Sequence, residues 1–237
     1  MPVAGYTDLV ESLGQAGCPI CRLVTRDANR FMDSLLYENV LDLEIMARFR
    51  GRRGLCNTHG WQLTTFPGQQ LGVALLFQAA LHEVMGQVGQ SPNPVTRNLS
   101  GRFLGRGDAR GAALADNLDP QVPCMVCEKV AETESRFLKV LVEQLADARL
   151  YAAFQASEGL CLPHFREALR FAATPDQFDR LRDLQVSIWE HLMGELKELV
   201  RKNDYRFADE PRGREMESWR RVVARMIGEK GVFGDDR

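Results

Sequence analysis

The sequence predicts an all-α protein of two tandem, duplicated helical units, each pinned by a metal site of three cysteines and one histidine, plus a C-terminal helix. Three observations predict it. Apolar residues recur at helical spacing along most of the chain, with hardly any strand alternation. All six cysteines fall into Cys-x-x-Cys and Cys-x-x-His half-motifs. The second half repeats the first, so that Phe31 corresponds to Phe137, Leu35 to Leu141, Phe49 to Phe154, Gly54 to Gly159 and Leu55 to Leu160. A chain that repeats its apolar face together with its cysteines reads as a duplicated structural unit.

Each element follows from local chemistry. Residues 6–14 form a short helix closed by Gly14 and Gly17. From Pro19 to about Tyr37, Leu23, Phe31, Leu35 and Leu36 line one helical face. Asp42 is an N-cap for a helix to Arg50, stopped by Gly51 and Gly54. Cys56-Asn57-Thr58-His59 opens another short helix through Leu63, and Pro67 begins a longer one through Val88 with Leu71, Leu75, Leu76, Ala79 and Met85 as its apolar positions. In the second half, Pro175 begins the long helix to Lys202, and a final helix spans about Arg214 to Ile227. Residues 90–120, rich in glycine and proline at their start, read as a flexible linker. The expected divisions are therefore 1–89, 90–120, 121–204 and 205–237.

Composition bounds the function. The chain is globular at 45% apolar and 26% charged residues, and its net charge of −2 names no partner. No apolar run approaches a membrane span, and Asp8 and Glu11 stand where a secretion signal needs its apolar region, so the expectation is a cytoplasmic protein without a membrane partner. In that compartment clustered cysteines are metal ligands more often than disulfides.

The half-motifs pair in sequence order. Cys18 and Cys21 go with Cys56 and His59, and Cys124 and Cys127 go with Cys161 and His164. Zinc, two ions in all, is the natural occupant, because four nitrogen and sulfur ligands complete its tetrahedron and leave no open position. Iron–sulfur clusters are the alternative. A thioredoxin-like redox pair needs a strand-helix context that this chain lacks. His82 and His191 read as polar or half-buried residues, and Trp61, Trp189 and Trp219 as packed in the core or along a helix interface. No nucleophile–base pair or paired-carboxylate motif stands out, so no catalytic residue and no further cofactor-binding residue is assigned.

The chain resembles an uncharacterised bacterial family catalogued as domain of unknown function 6062. The carrying residues are Cys18-Pro19-Ile20-Cys21-Arg22-Leu23, Gly54-Leu55-Cys56 with His59, the set Cys124, Cys127, Cys161 and His164, and a tail with Tyr205-Arg206-Phe207 and Glu217-Ser218-Trp219. The resemblance implies an architecture and a bacterial or archaeal origin, and no substrate.

The expected function is a non-enzymatic zinc-binding helical protein that binds or scaffolds a partner, most naturally another protein. Two alternatives stand beside it: an iron–sulfur redox or electron-transfer protein, and a nucleic-acid-binding regulator. The last rests on Arg48, Arg50, Arg52 and Arg53, which precede Cys56 where the matching positions before Cys161 are Ala153, Gln155, Ser157 and Glu158, with Arg22 and Arg26 adding to their field.

Overall fold

A computed structural model describes residues 3–90, 109–207 and 209–233. Among the described residues the protein is all-α, with no strand. The helices are α1 (Tyr6–Leu13), α2 (Pro19–Tyr37), α3 (Leu43–Arg52), α4 (Asn57–Leu63), α5 (Gln70–Gly89), α6 (Ala109–Leu118), α7 (Met125–Gln144), α8 (Ala148–Ala156), α9 (Leu162–Phe171), α10 (Pro175–Lys202) and α11 (Ser218–Ile227). The order α2 to α5 recurs as α7 to α10.

Equivalent positions in the two halves do equivalent work. Asp42 and Asp147 cap α3 and α8 through their side chains. Phe49 and Phe154, at 0% exposure, anchor those helices in the core. Gly54 and Gly159 take φ values of 108° and 70°, which a side chain rarely adopts, and turn the chain toward α4 and α9. A Cβ at Gly54 would lie 3.0 Å from the Phe77 ring, and one at Gly159 would lie 2.9 Å from the Gln185 amide.

The chain forms two compact units, whose boundaries fall inside α2 and α7. One unit joins the residues up to Ala28 with Val130–Phe233. In it α1 packs on α8, Tyr6 donates to Asp147 at 2.5 Å, and Phe165 meets Trp189 edge to face. The capping box of Thr174 and Gln177 starts α10, and α11 lies against α9 and α10. The second unit contains Asn29–Lys129. There α3 packs on α5, with Phe49 and Phe77 in a T-shaped pair, and Gly72 lets α5 come close to the Leu36 carbonyl. This grouping differs from the in-order division at 1–89 and 121–204. The residues from 205 to 233 join the unit of Val130–Phe233.

Several local expectations change. Residues 109–118 of the expected linker are helical, with α6 packed on α5; residues 91–108 of it lie outside the described residues. The helix expected from Pro67 begins at Gln70, because Gly68 at φ 76° turns the chain first. On α5 the buried positions are Gly72, Leu76 and Ala80, whereas Leu71 and Met85 are exposed. The final helix is a 3-10 turn at Arg214–Glu217 followed by α11. Trp61 and Trp219 are exposed rather than packed, and His82 and His191 are exposed polar residues. By length and composition α5 could cross a membrane, contrary to the expectation of no such run.

Candidate metal centres

The local backbone explains the two-residue gap in every half-motif. Cys56 and Cys161 are the N-cap residues of α4 and α9, with nearly identical extended dihedrals. Their carbonyls accept from Gly60 and Phe165 at 2.8 Å, closing the first helical turn. Cys18 and Cys124 stand immediately before α2 and α7, and accept likewise from Arg22 and Glu128. The second ligand of each half-motif then falls three residues into the helix, facing back toward the first. Both lie where free amides and the helix dipole favour negative charge, as suits thiolates.

The structure brings all eight predicted ligands into two buried groups, but not in the predicted pairing. Cys18 and Cys21 join Cys161 and His164, while Cys56 and His59 join Cys124 and Cys127. The sets are nested along the chain, the outer half-motifs together and the inner ones together. In the first set the cause is visible: α1 packs on α8, and Glu158 accepts from the Gly17 amide at 3.0 Å, seating Cys18 beside the turn that leads to Cys161.

Each set fits a single tetrahedral ion. All four ligand atoms in each lie within 4.8 Å of one another. In the outer set, His164 Nδ1 lies 3.1 Å from Cys161 Sγ, 3.3 Å from Cys21 Sγ and 3.5 Å from Cys18 Sγ, and Cys21 and Cys161 are 3.7 Å apart. In the inner set, His59 Nδ1 lies 3.1, 3.3 and 3.7 Å from the sulfurs of Cys56, Cys127 and Cys124, and Cys56 and Cys127 are 3.7 Å apart. Zinc bond lengths of ~2.3 Å to sulfur and ~2.0 Å to nitrogen give tetrahedral edges of about 3.8 Å between sulfurs and about 3.5 Å between sulfur and nitrogen.

Electrostatics within each set divide the protons unevenly among the ligands. Hydrogen bonding from the Cys127 thiol, with further help from His59 and from backbone amides, outweighs burial and holds Cys124 down at about 3. Burial works against the Cys18 thiolate, but hydrogen bonds from Cys161, Cys21 and His164 overcome it and lower its thiol well below the usual range. Hydrogen bonds with Cys161 and Cys18 push Cys21 up, the bond with Cys124 pushes Cys127 up, and burial raises Cys56. Burial disfavours the His164 imidazolium, yet contacts with Cys161, Cys18 and Glu134 push it up to about 11.

Sequence reasoning missed the groups that surround the outer set. Glu134 Oε1 lies 3.2 Å from His164 Nε2, and the Phe233 ring stacks obliquely on the same imidazole. Gln185, fully buried, clamps the turn before Cys161: its Oε1 accepts from the Leu160 amide at 2.9 Å and its Nε2 donates to the Leu160 carbonyl at 3.2 Å.

Of the arginines before Cys56, Arg48 and Arg53 are engaged in the fold. Arg48 pairs with Glu128. Arg53 donates to the carbonyls of Arg50 and Asn117 and to Gln87. Arg22 is held by Ser12 and Ala16, and Arg26 by Asp8 and Asp27.

A sequence profile described as Family of unknown function (DUF6062) matches residues 7–231. The chain belongs to this family. The match spans both ligand sets, so the nested arrangement lies wholly within the DUF6062 region. The chain is also 22% identical over 199 residues to an "Uncharacterized 23.9 kDa protein in xynA 3'region" of Caldicellulosiruptor sp. (strain Rt8B.4), covering 84% of this chain and 88% of that protein. No solved structure matches.

Proposed function

We propose that this DUF6062 protein is a non-enzymatic binding or scaffold protein held together by two structural zinc ions, one in each set of three cysteines and one histidine. The observation that carries this reading is the composition of both sets: four buried ligand atoms on the scale of one tetrahedron, the number that completes a structural zinc site. Structural zinc ligands of this kind contribute their binding free energy to folding. An iron–sulfur cluster needs its ligands spread around several metal atoms, and the compact sets favour a single ion over that alternative. Free thiols in such sets suit a reducing cytoplasm, which is the location proposed. The partner proposed is another protein; the ion pairs and hydrogen bonds of Arg48 and Arg53 weaken the nucleic-acid alternative.

Metal analysis of anaerobically purified protein, with its visible spectrum, tests the reading. The expected result is colourless protein with about two zinc per chain. Brown protein containing iron and sulfide would replace it with the redox alternative.

A further inference from the structure

Beyond the metal centres, the unit containing Val130–Phe233 holds a cavity of about 350 Å³ between the end of α8, the middle of α10 and α11. That volume is within the range of small-molecule sites. Ile188 and Leu192 of α10 give the lining its apolar part. Its charged part is Arg214, Arg221 and Arg225 with Glu158 and Glu195.

The charges are shared unevenly. Glu158 pairs with Arg225 at 2.5 Å and also with Arg214, and Glu195 pairs with Arg221 at 2.6 Å. Guanidinium groups keep their charge in proteins, so three cations share the two carboxylates of the lining, with Glu229 outside it 3.9 Å from Arg225. Two of these cations are deeply set. Arg225 is 3% exposed, its Nη1 makes no hydrogen bond, and the nearest further carboxylate, Glu229, is 3.9 Å away. Arg221 has a side chain 17% exposed, and its Nε is likewise without a hydrogen bond. A poorly hydrated guanidinium with donors left unmatched is costly, and an anion set against these arginines would supply further acceptors.

We infer that this cavity binds a small organic acid: one carboxylate or phosphate set toward Arg221 and Arg225, on a short apolar body lying along Ile188 and Leu192. His191, exposed and 3.8 Å from Glu195, also lines it. The site shares no residue with either ligand set.

The experiment is calorimetric titration of the zinc-loaded full chain with hexanoate, hexyl phosphate, hexanol and hexylammonium. At least one of the two acids should bind, with hexanol and hexylammonium at least tenfold weaker; the better acid identifies the head group. Arg221→Gln should weaken acid binding by about tenfold or more, the effect of losing a charge-assisted contact. Leu192→Trp, which fills the apolar part and leaves every charge in place, should weaken it as well, with helix content and zinc content unchanged. Acids that bind no better than hexanol, or acid binding that both variants leave intact, would overturn the assignment.

Discussion

His164 Nε2 and Glu134 Oε1 lie 3.2 Å apart, both side chains almost wholly buried, with the opposite ring nitrogen of His164 turned to the three sulfurs of its set. A carboxylate behind a ligating imidazole fixes the ring's tautomer and orientation and makes it a stronger donor. The equivalent position in the first half is Ala28, so this support belongs to the outer set. Glu134→Gln should weaken zinc at that set by about 10–100-fold and leave the inner set unchanged. Competition with a chelator, following the two ions separately, checks this; equal loss at both sets would contradict it.

Zinc affinity should rise with pH. Without an ion, the raised thiols of Cys21, Cys127 and Cys56 and the imidazolium of His164 all hold protons at neutral pH. Ligation must displace those protons, so acid opposes binding and alkali favours it. From about pH 6 to about pH 8 the apparent dissociation constant should fall by more than tenfold. Competition titrations corrected for the chelator's own protonation measure it, and a flat profile would count against ligation by these groups.

Gln185→Leu keeps the side chain's size and removes both hydrogen bonds to Leu160. A buried amide and a buried carbonyl would lose their partners, each costing roughly 1–3 kcal/mol. Thermal unfolding of the zinc-loaded protein should show that loss. Gln185→Glu should restore part of the stability through the bond accepted from the Leu160 amide; equal stability of Gln185→Leu and the unaltered protein would show that the clamp is unimportant.

The helices and the ligands were readable in the sequence because their signals are local: an N-cap aspartate at 42, prolines at helix starts, a cysteine three residues before its partner. The pairing was not. Joining Cys18 to Cys161 rather than to Cys56 lengthens the closed loop about fourfold, which costs only about 1 kcal/mol, so order along the chain is a weak guide and packing decides. Here the packing of α1 on α8 and the Glu158 bond to Gly17 decide it. Glu134, Gln185 and Glu158 escaped notice for a related reason. Their counterparts in the first half are Ala28, Ala80 and Arg53, so a reading guided by the repeat passes over them. The long apolar helix α5 misled in another way, since an exposed leucine looks the same in sequence as a buried one.

The nested pairing is tested most directly by zinc content in two double variants. Cys18→Ala with Cys161→Ala removes two ligands from one set, whereas Cys18→Ala with Cys56→Ala removes one from each. The account predicts that the first double variant retains close to one zinc per chain and that the second loses tight binding at both sets. The reverse result, two weakened sets in the first and one intact set in the second, would contradict it and restore the pairing in sequence order.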